Sequence, residues 1–205
     1  MAVKKIRVKT KQRNYSIYIG NNIINKINNF KKIEKLEFSK CLIVADSNIQ
    51  KKYIVKLKNS LQCKYKILLN IKTSENEKNI NNVNLIVEKL LKNKFSRSDC
   101  LIALGGGILG DLCSFTASLF KRGMKFINVP TTLLAQVDAS IGGKTGVNHK
   151  LFGKNLIGTF YQPFLVISDT NFLKTLKQED IVCGYAEILK HGLISNKNAF
   201  KYLDK

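Results

Sequence analysis

Apolar and polar side chains alternate through the first twenty residues. IRVKT (6–10) and YSIYIG (15–20) place apolar groups at every second position, which predicts two half-buried strands turning at 11–14. From Asn21 to Phe30 the period changes, and Ile23, Ile24 and Ile27 fall on one face of a predicted helix. CLIVAD (41–46) is a continuous apolar run ending in an acid, the pattern of a parallel strand covered on both faces. Residues 47–61 predict a helix with Ser47 as its cap, and KYKILLN (64–70) another strand. Ile80, Val83, Val87, Leu90 and Leu91 form the stripe of a long amphipathic helix. DCLIALGGG (99–107) reads as a strand entering a glycine loop, 109–120 as a helix and KFINVP (125–130) as a strand. Pro130, Thr131 and Thr132 can open a further helix. FLVISD (164–169) is the last strand pattern, and helical signals follow it.

Alternating strands and helices, with acids or glycines at the strand ends, predict the α/β class: a Rossmann-like parallel sheet with helices on both faces. Such sheets bind ligands at the carboxyl ends of their strands, and the motifs of this chain fall there.

Composition narrows the picture little. The 205 residues are 44% apolar and 24% charged, enough for a real core and unlike a disordered chain. No run approaches the ~20 apolar residues of a membrane span, and MAVKKIRVKT has no apolar block behind its charges. A cytoplasmic location without membrane association is therefore expected. Cys41, Cys63, Cys100, Cys113 and Cys183 are odd in number and lack a CxxC spacing, which argues against a disulfide framework or structural zinc. They are read as small buried hydrophobes.

The net charge of +21 invites a nucleic-acid reading. However, the cations are 31 Lys against 4 Arg, spread over the whole length rather than gathered into a patch. No nucleic-acid partner is expected; a field that draws in small anions suits the pattern better.

Three constellations could carry chemistry. The first runs from Gly105 to Asp111 and contains GxGxxG between a strand and a helix. It is not at the first strand, and Pro130-Thr131-Thr132 stands where the ribose-binding acid of a simple Rossmann unit would be. Asp46, at an earlier strand end, is the better acid. A phosphate cradle and a merely tight turn both remain open on local pattern. The second, Val137 to Thr145, ends in GGKT, but Asp138 occupies the position where a P-loop needs glycine, and no strand precedes it. What is left is a glycine-opened loop with Lys144, followed by Lys154 and Asn155, suited to an anion or simply solvated. The third, Gly184 to Gly192, puts Glu187 and Lys190 on one helix face, either towards a cleft or as a surface ion pair. His149 and His191, the only histidines, receive no role.

LIALGGGILGDL, KRGMKFINVPTTLLAQVDASIGGKTGVN, GKNLIGTFYQP and GYAEILKHGLI, in that order over 99–194, closely resemble 3-dehydroquinate synthase of the sugar-phosphate cyclase superfamily. IVADSNI and the 74–78 loop are also similar, with Ser74 where the family has glycine. The resemblance implies NAD as cofactor, contacted by Asp46, Glu75, Lys78, Gly106, Gly107, Gly110, Asp111, Thr131, Thr132, Lys144, Lys154, Phe172, Leu173, Lys174 and Thr175. It implies catalytic or substrate-facing roles for Asp138, Lys144, Asn155 and Lys190, with Arg122 offered to a neighbouring subunit in a homodimer. Glu187 would be one of three ligands to zinc or cobalt. The implied activity is a lyase step of the shikimate pathway, the cyclisation of an anionic sugar phosphate, 3-deoxy-D-arabino-heptulosonate 7-phosphate, with loss of phosphate. The segment 148–154 is one residue longer than the family spacing.

The family continues for about another helical domain. Residues 1–176 are therefore expected to be the NAD-binding α/β domain, and 177–205 the start of a truncated all-α domain, the rest absent or on a separate polypeptide. The 205 residues alone are expected to lack activity. Another sugar-phosphate cyclase, or an NAD-binding remnant without turnover, are the alternatives.

Overall fold

In a computed structural model, the structure describes residues 2–195, 200 and 203. Seven strands form one sheet: β1 (Lys4–Val8), β2 (Tyr15–Gly20), β3 (Lys40–Asp46), β4 (Tyr65–Ile71), β5 (Cys100–Gly105), β6 (Lys125–Pro130) and β9 (Leu165–Asp169), in the order β1-β2-β9-β6-β5-β3-β4. Only the β1–β2 pair is antiparallel. A separate antiparallel hairpin, β7 (Lys144–His149) with β8 (Gly153–Phe160), stands off the sheet.

The central strands alternate between two cores. Cys41, Ile43 and Ala45 of β3 and Cys100, Ile102 and Leu104 of β5 face one layer, which is closed by Ile27 and Phe30 of α1 (Ile27–Ile33) and Tyr53, Ile54 and Leu57 of α2 (Lys51–Ser60). Leu42, Val44, Leu101 and Ala103 face the other, under Val83, Ile86 and Leu90 of α3 (Ile80–Lys92) and Leu109, Leu112 and Cys113 of α4 (Gly107–Leu119). Full burial on both faces is why these strands read as unbroken apolar runs. The expected fold class holds: a mostly parallel sheet with helices on both faces.

The crossovers place the site. From β3 the chain goes outward to β4, then returns to the other side of β3 as β5 and continues through β6. The direction reverses between β3 and β5, and the crevice of such a sheet opens at that point.

Some elements differ from the sequence reading. The 21–30 helix is a 3-10 turn at Ile24–Lys26 followed by α1. Ser47 does not cap α2, which begins at Lys51 after Gln50 without a side-chain cap; Asp46 turns the chain first by accepting from the Asn48 amide at 2.9 Å. The helix opened at Pro130 amounts to 133–139, ending in a π-helical turn at Ala135–Ala139. Gln136 pins it by donating to the carbonyls of Pro130 and Asp169 at 3.1 and 3.0 Å. The stretch read as a glycine-opened loop around Lys144 and Lys154 is the β7–β8 hairpin. Of the cysteines, Cys41, Cys100 and Cys113 are buried as expected, while Cys63 is half-buried and Cys183 exposed. Helix α5 (Gln178–Ser195) follows β9, and the expected helical continuation beyond it lies, except for 200 and 203, outside the described residues. Among the described residues, no helix is long and apolar enough to cross a membrane.

Candidate functional site

The carboxyl ends of four adjacent parallel strands carry most of the residues singled out above. Asp46 closes β3 and accepts the Thr73 hydroxyl. Gly105 ends β5, Gly106 is the N-cap of α4 and Gly107 its first residue. Thr131 follows β6, and its amide donates to the Gly105 carbonyl at 3.0 Å, locking the two strand ends together. The Thr132 hydroxyl caps 133–139 by accepting from Ala135 at 3.2 Å. Thr170–Thr175 is a 3-10 turn directly after β9.

The glycine loop fits a phosphate-bearing ligand on two counts. No side chain caps α4, so its first amides are open to an anion, and the helix dipole favours one there. The backbone is also closely approached: a Cβ on Gly106 would lie 3.1 Å from the Thr132 methyl, and one on Gly107 would lie 3.1 Å from Ala139. Glycine serves here for access rather than for an unusual dihedral.

A cavity of about 750 Å³ opens beside this loop, with Asp111, Asp138, Gly142, Lys144 and Asn155 in its wall. Lys78, almost buried, donates to Asp111 on α4 and to Asn155 on β8, linking three segments. Burial pushes the Asp111 carboxyl up, and the Lys78 ammonium only partly offsets this.

The hairpin is tied down over the loop after β4. The Asn148 side chain donates to Glu75 Oε1 at 2.8 Å and to the Glu75 carbonyl at 3.2 Å, its amide donates to the Lys78 carbonyl at 2.7 Å, and its own oxygen accepts from Asn155 at 2.9 Å. Lys154 stands 3.6 Å from the Glu75 carboxylate. The bond from Asn148, ahead of burial, and the nearby lysines hold Glu75 below its ordinary pKa. Asn148 is not among the sequence candidates, since an Asn before a turn carries no signal of its own.

On α5, next to the cavity residue Asp138, Lys190 pairs with Glu187, which raises the lysine pKa. His191, one helical turn from Glu187, lies 3.3 Å from Glu187 Oε1 and 3.9 Å from Asp138 Oδ1. Ligand atoms of Asp138, Glu187 and His191 all fall within 4.8 Å of one another, a donor set of the right chemistry for a divalent metal. Of the three, only Glu187 is expected as a ligand from the sequence; the approach of Asp138 and His191 depends on α5 packing against 133–139.

Two groups lie elsewhere. Phe172 is buried in the core against Tyr53, with ring centroids 4.7 Å apart, so its side chain supports the strand ends from beneath. Arg122, at a left-handed φ of 63° after α4, is at the amino ends of the central strands, away from the glycine loop, in a pocket with Arg13 and Arg97. Within one chain it does not reach the cavity.

Residues 68–183 match the family model described as 3-dehydroquinate synthase N-terminal. The 3-dehydroquinate synthase of Pelagibacter ubique is 54% identical over 205 residues, all of this chain and 55% of the relative. That of Campylobacter concisus is 44% identical over 199 residues, 97% of this chain and 54% of the relative. The chain thus spans about half the length of the curated relatives it matches. A crystal structure of 2-deoxy-scyllo-inosose synthase complexed with carbaglucose-6-phosphate, NAD+ and Co2+ superposes with a TM-score of 0.86 at 25% identity, over 93% of this chain and 52% of that one. ValA, a 2-epi-5-epi-valiolone synthase from Streptomyces hygroscopicus with NAD+ and Zn2+ bound, gives 0.80 at 30% identity, over 93% and 52%.

Proposed function

The chain belongs to the 3-dehydroquinate synthase family, and from that premise we propose that it forms the NAD-binding half, and part of the substrate site, of an enzyme that cyclises 3-deoxy-D-arabino-heptulosonate 7-phosphate with loss of phosphate. The observation that carries this reading is the uncapped glycine loop at the β3–β5 reversal, beside a cavity lined by Lys144, Asn155 and Asp138. A dinucleotide phosphate suits the loop, and an anionic sugar suits the wall. Relatives at 54% and 44% identity that share one activity favour the heptulosonate over the substrates of other cyclases.

When bound, NAD takes up and returns a hydride at the substrate, and a divalent metal acts as a Lewis acid on its oxygens. The rest is the work of this chain. Gly106, Gly107 and the first amides of α4 hold phosphate oxygens, with Asp46, Glu75 and Asp111 placed for the polar groups of the dinucleotide. Lys78 orients Asp111 and Asn155 at once. Lys144, exposed at the start of β7, neutralises charge on the sugar phosphate, and Lys190, beside Glu187, would do the same. Asp138 and Glu187, both beside His191, are the groups positioned to hold that metal. Arg122 serves a neighbouring copy in a dimer.

Calorimetry tests the assignment. With NAD and zinc present, the heptulosonate phosphate should bind more tightly than carbaglucose-6-phosphate, and Lys144→Ala should weaken it by about tenfold or more, the loss of one charge-assisted contact. Equal binding of the two sugars, or indifference to Lys144, would overturn it.

A further inference from the structure

Two cysteines far from the cavity are brought together by the fold. Cys41 is the second residue of β3 and fully buried, and Cys63 lies half-buried in the connection from α2 to β4. Their sulfurs are 3.5 Å apart. We propose that this pair is an oxidisable dithiol, in which a hydroperoxide attacks Cys63 and Cys41 resolves the product into an intrachain disulfide.

The surroundings divide the roles. Two ammonium groups are anchored beside Cys63: Lys31 donates to the Gln62 carbonyl at 2.7 Å, and Lys66 donates to the Lys58 carbonyl at 2.8 Å. As a thiol, Cys63 donates to the Tyr65 carbonyl at 3.6 Å. The hydrogen bond shared with Cys41, then Lys66 and Lys31, lower the Cys63 pKa against the opposing effect of burial. The same contact and burial raise that of Cys41. One sulfur is thus the better thiolate and reachable from solvent; the other stays a protonated thiol directly behind it. Cys100 and Cys113 are buried thiols raised by desolvation and take no part.

The step balances. The Cys63 thiolate attacks one peroxide oxygen, breaking the O–O bond, and leaves a sulfenic acid and hydroxide. The Cys41 sulfur then attacks the sulfenic sulfur, loses its proton and expels a second hydroxide. Two thiols are oxidised, and hydrogen peroxide is reduced to two waters. The bond would join the amino end of β3 to the chain entering β4, at the edge of the sheet opposite the glycine loop.

The experiment uses the full chain carrying Cys183→Ser, which removes the exposed thiol. After treatment with hydrogen peroxide, the intact mass should fall by two hydrogens, and a proteolytic map should join the peptides of Cys41 and Cys63. In Cys41→Ala, dimedone should trap a sulfenic acid at Cys63. Before oxidation, iodoacetamide at neutral pH should label Cys63 of the unsubstituted chain about tenfold faster than Cys183. NAD affinity should be the same before and after oxidation. Addition of oxygen atoms without the 41–63 link, or a pair that stays reduced while Cys183 of the unsubstituted chain is oxidised, would overturn the proposal. Should Cys41→Ala fail to fold, peptide mapping of the oxidised unsubstituted chain decides between the same two outcomes.

Discussion

Lys78 Nζ lies 2.5 Å from Asp111 Oδ2, across the gap between the loop after β4 and the second turn of α4. Both side chains are largely out of solvent, at 8% and 22% exposure, so neither charge is easily replaced by water. Removing one partner leaves the other costly. Lys78→Met is expected to lose about 2 kcal/mol of stability, and Asp111→Asn less, because the carboxyl is already disfavoured by burial. The double variant should be more stable than the sum of the singles predicts. Urea melts of the four proteins measure this coupling, and strict additivity would show that the pair is not coupled.

Gly158 on β8 faces Thr145 and Gly146 on β7, where an added Cβ would fall 2.0 Å from the Thr145 carbonyl oxygen and 2.9 Å from the Gly146 Cα. Backbone cannot give way as a side-chain tip can. Gly158→Ala should therefore lower the melting temperature by roughly 4–8 °C, as expected for about 2 kcal/mol in a chain of this size. It should also weaken sugar-phosphate binding more than NAD binding, since Lys144 and Asn155 ride on the hairpin while the glycine loop does not. Equal losses for both ligands would mean that the hairpin does not set the substrate wall separately.

Glu34 accepts from Tyr18 at 2.7 Å and pairs with Lys5 at 2.8 Å and Arg7 at 2.6 Å. Burial alone would raise its pKa, but hydrogen bonds with Lys5, Tyr18 and Ser16 outweigh it and hold the carboxyl at about 2. A depressed acid stabilises the fold wherever it is ionised in both states. That contribution is complete above the unfolded pKa of 4.5 and is lost as pH falls towards 2. Lys5 and Arg7 are about half exposed, so screening reduces it to about 2 kcal/mol. Glu34→Gln should be less stable than the parent by that amount at pH 7, with the gap closing between pH 4.5 and 2. A constant gap over that range would contradict the assignment.

The sheet was legible because β3 and β5 are buried on both faces and so write continuous apolar runs, and because glycine and acid residues mark their ends. The hairpin was not. All of β8 is exposed, so no alternation of buried and free positions disciplines its sequence, and Lys144 to Phe160 reads as loop. Ser47 looks like a cap because it precedes helical residues, but the turn made by Asp46 delays α2 by one turn. Asp46, the glycine loop and Thr131 are marked by motif and lie where the strand ends converge, while Lys144 sits on the hairpin beside them. His191 is beyond reach of spacing alone: its four-residue offset from Glu187 is visible, but its approach to Asp138 is made by tertiary packing. Arg122 is sent to the amino ends of the strands by α4, whose 13 residues carry the chain from the glycine loop back along the sheet.

The glycine loop and its neighbours are proposed to hold NAD. Isothermal titration of the folded 205-residue protein with NAD tests this most directly, alongside Asp111→Ala. Measurable, weak binding at a single site is expected, weakened by at least about tenfold in the variant, as when a hydrogen bond to a charged group is lost. A cooperatively folded protein that takes up no NAD, or one whose affinity ignores Asp111, would contradict the proposal.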